Sequence, residues 1–172
     1  MEQLILTNIV LLVIILIGCA FLPDNYKLFN IPLWYNPKKI ISFQLDSKDT
    51  SQQISDIYSL SHITHGILFY FLFKYFNINC ITGFILTIIF EIMWEIFENT
   101  QYIIKKYRKK KEYKNYDGDS IVNIIGDLIF TIIGYYIGYK STKISVIYLV
   151  LSEIILIPLK ANFLHLSIGS LL

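Results

Sequence analysis

The chain has 172 residues, 55% of them apolar and only 16% charged, with a formal net charge of +2 and a mean hydropathy of +0.54. Soluble domains carry about a quarter charged residues, so an ordinary soluble domain is excluded, and nothing in this charge calls for a nucleic-acid partner. Apolar runs of about 15 to 20 residues recur, each enough or nearly enough to cross a hydrocarbon core of ~30 Å. The class is an all-α membrane protein, one polytopic domain over 1–172 built as a bundle of about five transmembrane helices.

The first span, 4–22, is uncharged and stops at Pro23. Its "LIGC" at Leu16–Cys19 has the look of a lipoprotein cleavage box, but "MEQ" lacks the basic start of a secretion signal, which favours a retained helix. A polar stretch, 23–56, follows with three prolines. The second span is 58–76, with Lys74 placed to snorkel at its far end. "NIN" makes a short turn into the third span, 81–99. The basic loop 100–118 leads to a fourth span, 119–139, and "KSTK" turns into a fifth, 144–159. The uncharged tail 161–172 lies in the interface or dips back into the membrane. Cys19 and Cys80 both fall in apolar runs, so they make no disulfide framework.

Five spans put 23–56, the basic loop and the tail on one side. That side holds 12 of the 15 lysines and arginines, which makes it cytoplasmic and the protein a multi-pass component of the cell (inner) membrane. The ionisable residues inside spans two to four sort to the same side. His62 and His65 open span two, Glu95, Glu98 and Asn99 close span three, and Asp119, Ser120 and Asn123 open span four. Glu91 and Asp127 lie ~12 Å in, at 1.5 Å per residue; Glu153 in span five is at similar depth.

Angular positions agree with this sorting. Glu91, Glu95 and Glu98 share one helical face, as do Asp119, Asn123 and Asp127, while His62 and His65 are i, i+3 neighbours. An isolated carboxylate in hydrocarbon costs ~2.5–3.5 kcal/mol, so these groups face one another or a cavity. The sequence predicts a polar pocket in one leaflet. Blander uses exist for some of its parts. A lone histidine can simply bond a neighbouring helix, Glu98 and Asp117 can pair with Lys105 or Arg108, and Trp94 and the tyrosines can pack or form a belt. The Gly134/Gly138 spacing serves close helix packing or a homo-oligomer contact.

The motifs "SHITHGILFY", "WEIFENT", "YR" and "YDGDSIVNIIGD" resemble an uncharacterised family of small bacterial integral membrane proteins. Its pattern is SH-x-x-HG, WE-x-x-EN, YR and Y-x-GDS-x-x-N-x-x-x-D. The resemblance runs from Ser51 to the tail and highlights Ser61, His62, His65, Glu95, Glu98 and Asn99, then Tyr107, Arg108, Asp119, Ser120, Asn123 and Asp127. This chain departs from the pattern in having Gln53 for a histidine, no Cys-x-Cys-Gly segment, and Lys160, Ala161, Asn162 for Arg-Asp-Asn. A looser resemblance is to VanZ-like proteins, through the order His, Glu, basic loop, Asp, Asn, Gly. Neither resemblance implies an established chemistry.

Three functions fit this pattern. The first is a metal-dependent hydrolase or transferase acting at the membrane interface on a lipid or lipid-linked anionic substrate. It would take Zn²⁺, Mn²⁺ or Mg²⁺ on His62, His65, Glu91, Glu95 and Asp119. Glu95, Glu98, Asp119 and Asp127 would do the acid–base work, and Ser61, Asn99, Tyr107, Arg108, Ser120 and Asn123 would hold substrate. The second is a proton- or cation-coupled small transporter. The third is a non-enzymatic lipid- or partner-binding membrane module recruiting through its basic loop.

Overall fold

The computed structural model describes residues 39–43, 49–109, 113–159 and 161. The first span 4–22, the "LIGC" box and the tail 162–172 lie outside these residues. Five α-helices follow one another: α1 Ser59–Tyr75, α2 Cys80–Glu98, α3 Gln101–Tyr107, α4 Ile121–Lys140 and α5 Thr142–Leu156, the last extended by a 3₁₀ turn, Ile157–Leu159. Helices thus occur where spans two to five were expected, within two residues or so of the expected ends once the 3₁₀ turn is counted. Among the described residues, α2, α4 and α5 with its 3₁₀ extension are long and apolar enough to cross a membrane. The protein is an all-α membrane protein. At 17 residues, α1 covers about 25 Å.

Local chemistry sets the helix ends. Phe76 ends α1, and Asn77 takes the left-handed conformation (φ 55°) that asparagine tolerates better than most side chains. Asn79 then caps α2, its side-chain oxygen accepting from the Thr82 amide. Ser120 and Ser141 cap α4 and α5 in the same way, accepting from Asn123 and Ile144. Each cap satisfies one of the amides that a helix start leaves open.

The bundle is organised around α4, which is buried along much of its length and packs most extensively on α1. These two run in the same direction, because His62 lies against Asp127 and Tyr70 against Gly138. Their backbones come very close. A Cβ on Gly66 would sit 1.9 Å from the Thr131 carbonyl oxygen, and one on Gly134 would sit 2.0 Å from that of Ile63. Glycine removes the obstacle, and the Thr131 hydroxyl donates to the His62 carbonyl across the seam (3.1 Å). Gly134 and Gly138 are therefore buried against α1 of the same chain, the packing use of the spacing.

Two features had no counterpart in the sequence reading. The basic loop contains α3, a short helix whose buried Ile103, Ile104 and Tyr107 join Tyr113 and Tyr116 in an aromatic-rich cluster. The polar stretch ahead of α1 also ends in structure. Ile41–Ser42 (β1) pairs in parallel with Ser55–Asp56 (β2), and residues 50–54 form a strap across the first turns of α4. The Ser120 amide donates to the Ser51 carbonyl (2.9 Å), the Ser120 hydroxyl to that of Gln52 (3.0 Å), and Asn123 Nδ2 to that of Gln53 (2.9 Å). Gly126 makes room for the strap, since a Cβ there would sit 1.9 Å from the Ile54 carbonyl oxygen.

Candidate functional site

The start of α1, the end of α2 and the start of α4 all lie at one end of the bundle, and their polar residues meet there. His62 Nδ1 is 2.5 Å from Glu91 Oε1, and His65 Nδ1 lies 3.2 Å from Glu91 Oε2. One carboxylate with no exposed surface thus lies within hydrogen-bond distance of two imidazoles. Because His62 Nδ1 faces Glu91, its Nε2 is turned to α4, 3.7 Å from Asp127 Oδ1. Glu95 Oε1 stands 3.7 Å from His62 Nδ1. Both oxygens of the buried Glu95 and Oδ1 of Asp127 find no hydrogen-bond partner among the described residues. Buried carboxylate oxygens are normally bonded, and each exception calls for a proton, a cation or a ligand.

Two groups among the described residues could hold a metal ion: His62, His65 and Glu91, and His62, Glu95 and Asp127. In each, the ligand atoms lie within 4.8 Å of one another. In the first group Glu91 is already engaged by both rings, whereas the second carries the three unpartnered oxygens. Asp119, expected as a ligand, is in neither group. It is bonded instead by Asn99 Nδ2 (2.7 Å) and the Tyr116 hydroxyl (3.0 Å), and its own amide donates to Asn99 Oδ1 (2.6 Å). Asp127, expected among the acid–base groups, is the aspartate that stands in the second group.

Beside this cluster lies a narrow, partly open pocket whose wall includes Ser61, His62, His65, Glu98, Asp119 and Asp127. Tyr107 and Trp94 also line it, next to Glu98. Other expected contact residues have different positions. Asn99 is wholly buried as the clamp on Asp119, and Ser120 and Asn123 hold the strap. Arg108 Nε donates to the Tyr116 carbonyl (2.6 Å), and its guanidinium pairs with Asp117. None of these four is part of the pocket wall; they fix its frame. Gly118 belongs to the same frame. Its φ of +96° is open to glycine and strained for other residues, and it turns the chain so that Asp119 faces Asn99.

The sequence reading missed several wall residues. Thr50 and Ser51 of the strap and the rings of Tyr58 and Tyr113 complete the pocket. Tyr113 stacks obliquely on Tyr58 at 6.2 Å and on Tyr107 at 5.6 Å. Asp56, just outside the span, was also missed. Its Oδ1 accepts from the Tyr58 and Ser59 amides at the start of α1, while burial pushes its carboxyl up to about 6. An acidic residue two to three positions ahead of an apolar run is an available cap signal. Burial likewise raises the Asp119 carboxyl, against the pull of the bonds from Asn99, Tyr116 and Ser51. Glu153 is not part of the pocket wall.

Comparison with known proteins gives a consistent assignment. The model of the family described as "Protein of unknown function (DUF2585)" matches residues 36–172. A UPF0314 protein of Brucella anthropi is 39% identical over 127 residues, 72% of this chain and 65% of that protein. A UPF0314 protein of Sphingopyxis alaskensis is 39% identical over 93 residues, 53% of this chain and 50% of that protein. One from Paracoccus denitrificans is 34% identical over 96 residues, 55% and 50% of the two chains. This chain spans between half and two thirds of the length of these relatives. No solved structure matches it. The family match takes in the strap, the histidine pair, the glutamate helix and the Asp119–Asp127 segment together, and the chain belongs to the DUF2585 family of proteins of unknown function.

Proposed function

We propose that the protein is a membrane-embedded, metal-dependent enzyme acting on a lipid or lipid-linked anionic substrate at the membrane interface. The observation that carries this reading is the group His62, Glu95 and Asp127, with ligand atoms within 4.8 Å and three carboxylate oxygens lacking partners. Glu91 supports it from behind. A ligating histidine ordinarily gives its second ring nitrogen to a carboxylate, which fixes ring and tautomer, and His62 is oriented by Glu91 in this way. One imidazole and two carboxylates suit Zn²⁺ or Mn²⁺, and Mg²⁺ less well for the nitrogen donor. A metal there would polarise a phosphoryl or acyl oxygen, or lower the pKa of a bound water.

The chain's own residues take the remaining tasks. Glu98, at the wall between Tyr107 and Trp94, is placed to exchange a proton with the substrate. Asp119, held by Asn99 and Tyr116, keeps a fixed orientation toward the same space. The lysines of the loop around α3 favour an anionic headgroup near the mouth, and the concentration of basic residues on that side supports a cytoplasmic opening.

Metal analysis of the purified protein tests the reading. One ion per chain is expected, lost in His62→Ala and in Glu95→Gln with helical content retained. A fully folded protein free of Zn, Mn and Mg after loading would sink it.

A further inference from the structure

A second cavity opens on the outer side of the bundle, between α1 and α2. Phe69, Phe90, Met93 and Phe97 form its walls, and His65, Glu91 and Trp94 close its inner end. His65 and Trp94 also line the polar pocket, with their rings edge to face at 6.0 Å. Groove and pocket are therefore the two sides of one thin partition. The groove walls on α2 are exposed, Phe90 by 40%, Met93 by 59% and Phe97 by 43%, on a helix that is long and apolar enough to cross a membrane. They face hydrocarbon, and they extend for about 10 Å along the axis, the reach of a hydrocarbon segment.

A contrast within the same bundle is informative. Another apolar groove lies toward the far end, lined by Ile81, Phe84, Ile132, Tyr136 and neighbours. It reaches no carboxylate or imidazole, which is what simple helix packing requires. The groove between α1 and α2 instead terminates on a histidine and a glutamate, groups that cost free energy in hydrocarbon unless a site uses them.

Resting on the reading of the site given above, we propose that this groove holds an acyl chain of a bilayer lipid whose headgroup reaches the polar pocket, passing the partition made by His65 and Trp94. The substrate then arrives sideways from the leaflet, and its tail stays in an apolar slot during reaction. The groove specifies a chain-bearing substrate over a free phosphate or a soluble ester.

The test uses the full chain in bilayers of phosphatidylethanolamine and phosphatidylglycerol, doped with a phosphatidylglycerol carrying a diazirine in one acyl chain. After illumination, adducts are mapped by mass spectrometry. Val150 and Ile154 on α5, 53% and 59% exposed, report ordinary contact with surrounding lipid. Adducts at Phe90, Met93 and Phe97 are expected to exceed theirs by about fivefold, roughly 1 kcal/mol of preference. Met93→Trp, which narrows the groove from an exposed position, is expected to return Phe90 and Phe97 to the level of α5. Equal labelling of the two faces would mean ordinary surrounding lipid and overturn the proposal. A labelled α5 with an unlabelled groove would mean that protein, such as residues 4–22, fills it, and would overturn it too. Metal content of the same samples separates the two readings. A labelled groove in metal-free protein removes the metal reading alone, and a metal-loaded protein with uniform labelling removes the groove alone.

Discussion

Asp56 combines two duties that conflict. Its Oδ1 holds the first amides of α1, while Oδ2 is buried without a hydrogen-bond partner among the described residues, and burial lifts the carboxyl from 3.8 to about 6. A carboxyl whose pKa is raised by folding contributes stability below its unfolded value and loses that contribution as pH rises through the folded one. Stability is thus expected to fall from pH 4 to pH 6, by on the order of 3 kcal/mol for this group if fully expressed, and the thermal midpoint falls with it. Asp56→Asn keeps the cap acceptor and removes the ionisation, so it should flatten that part of the profile. Unfolding midpoints in detergent across pH 4 to 8 check this, and an unchanged slope would refute it. At the same scale, charge inside an apolar run, which has few uses, singles out His62, Glu91, Glu95 and Asp127, and the structure brings these four side chains together. Asn99, Ser120 and Asn123 make bonds beside the pocket, a distinction the sequence does not carry, since depth along a helix sorts residues by leaflet and does not separate a pocket wall from the bonds that frame it.

Helix against helix, the seam between α1 and α4 depends on absent side chains. Gly66 and Gly134 face main-chain carbonyls of the opposite helix, and backbone yields less readily than a rotamer. Gly66→Ala is expected to push the helices apart and destabilise the protein by about 1–3 kcal/mol, read as a lowered unfolding midpoint in detergent; a midpoint within error of the wild type would contradict the close approach. On the proposed metal site, the shift of His62 relative to Asp127 would also cost the variant its ion. The long helices were legible because apolar runs bounded by prolines, asparagines and charges leave little else to form in a bilayer. Helix α3 was not, because seven residues, QYIIKKY, inside a basic loop carry too little periodicity to stand out from a topology signal. The strap was not legible either. It is attached chiefly through carbonyl groups, and main-chain bonding leaves no residue signature.

Among the described residues, the buried acids and histidines gather at one end of the bundle, and the helices are apolar over most of the rest. The acids of α2 and α4 and both histidines of α1 lie in one half of the bundle, and the opposite half, among the described residues, holds Lys74, Lys140 and Lys143 near its edge without a carboxylate partner in the helix interiors. A path for protons or cations needs polar groups through both leaflets. Liposomes containing the protein are therefore expected to show no proton or cation flux above that of protein-free vesicles; flux that disappears in Asp127→Asn would favour the transporter reading instead.

The bracketing of Glu91 by His62 and His65 has a consequence for biogenesis. The helices that carry these residues are adjacent in sequence and joined by only four residues, so they can leave the insertion machinery as a hairpin. Inside that hairpin the deepest carboxylate already has both its imidazole partners, which offsets the ~2.5–3.5 kcal/mol that a lone acid would cost at mid-membrane. When α4 follows, Asp127 meets a histidine that is already in place. The order of the helices along the chain is thus also a workable order of delivery into the bilayer.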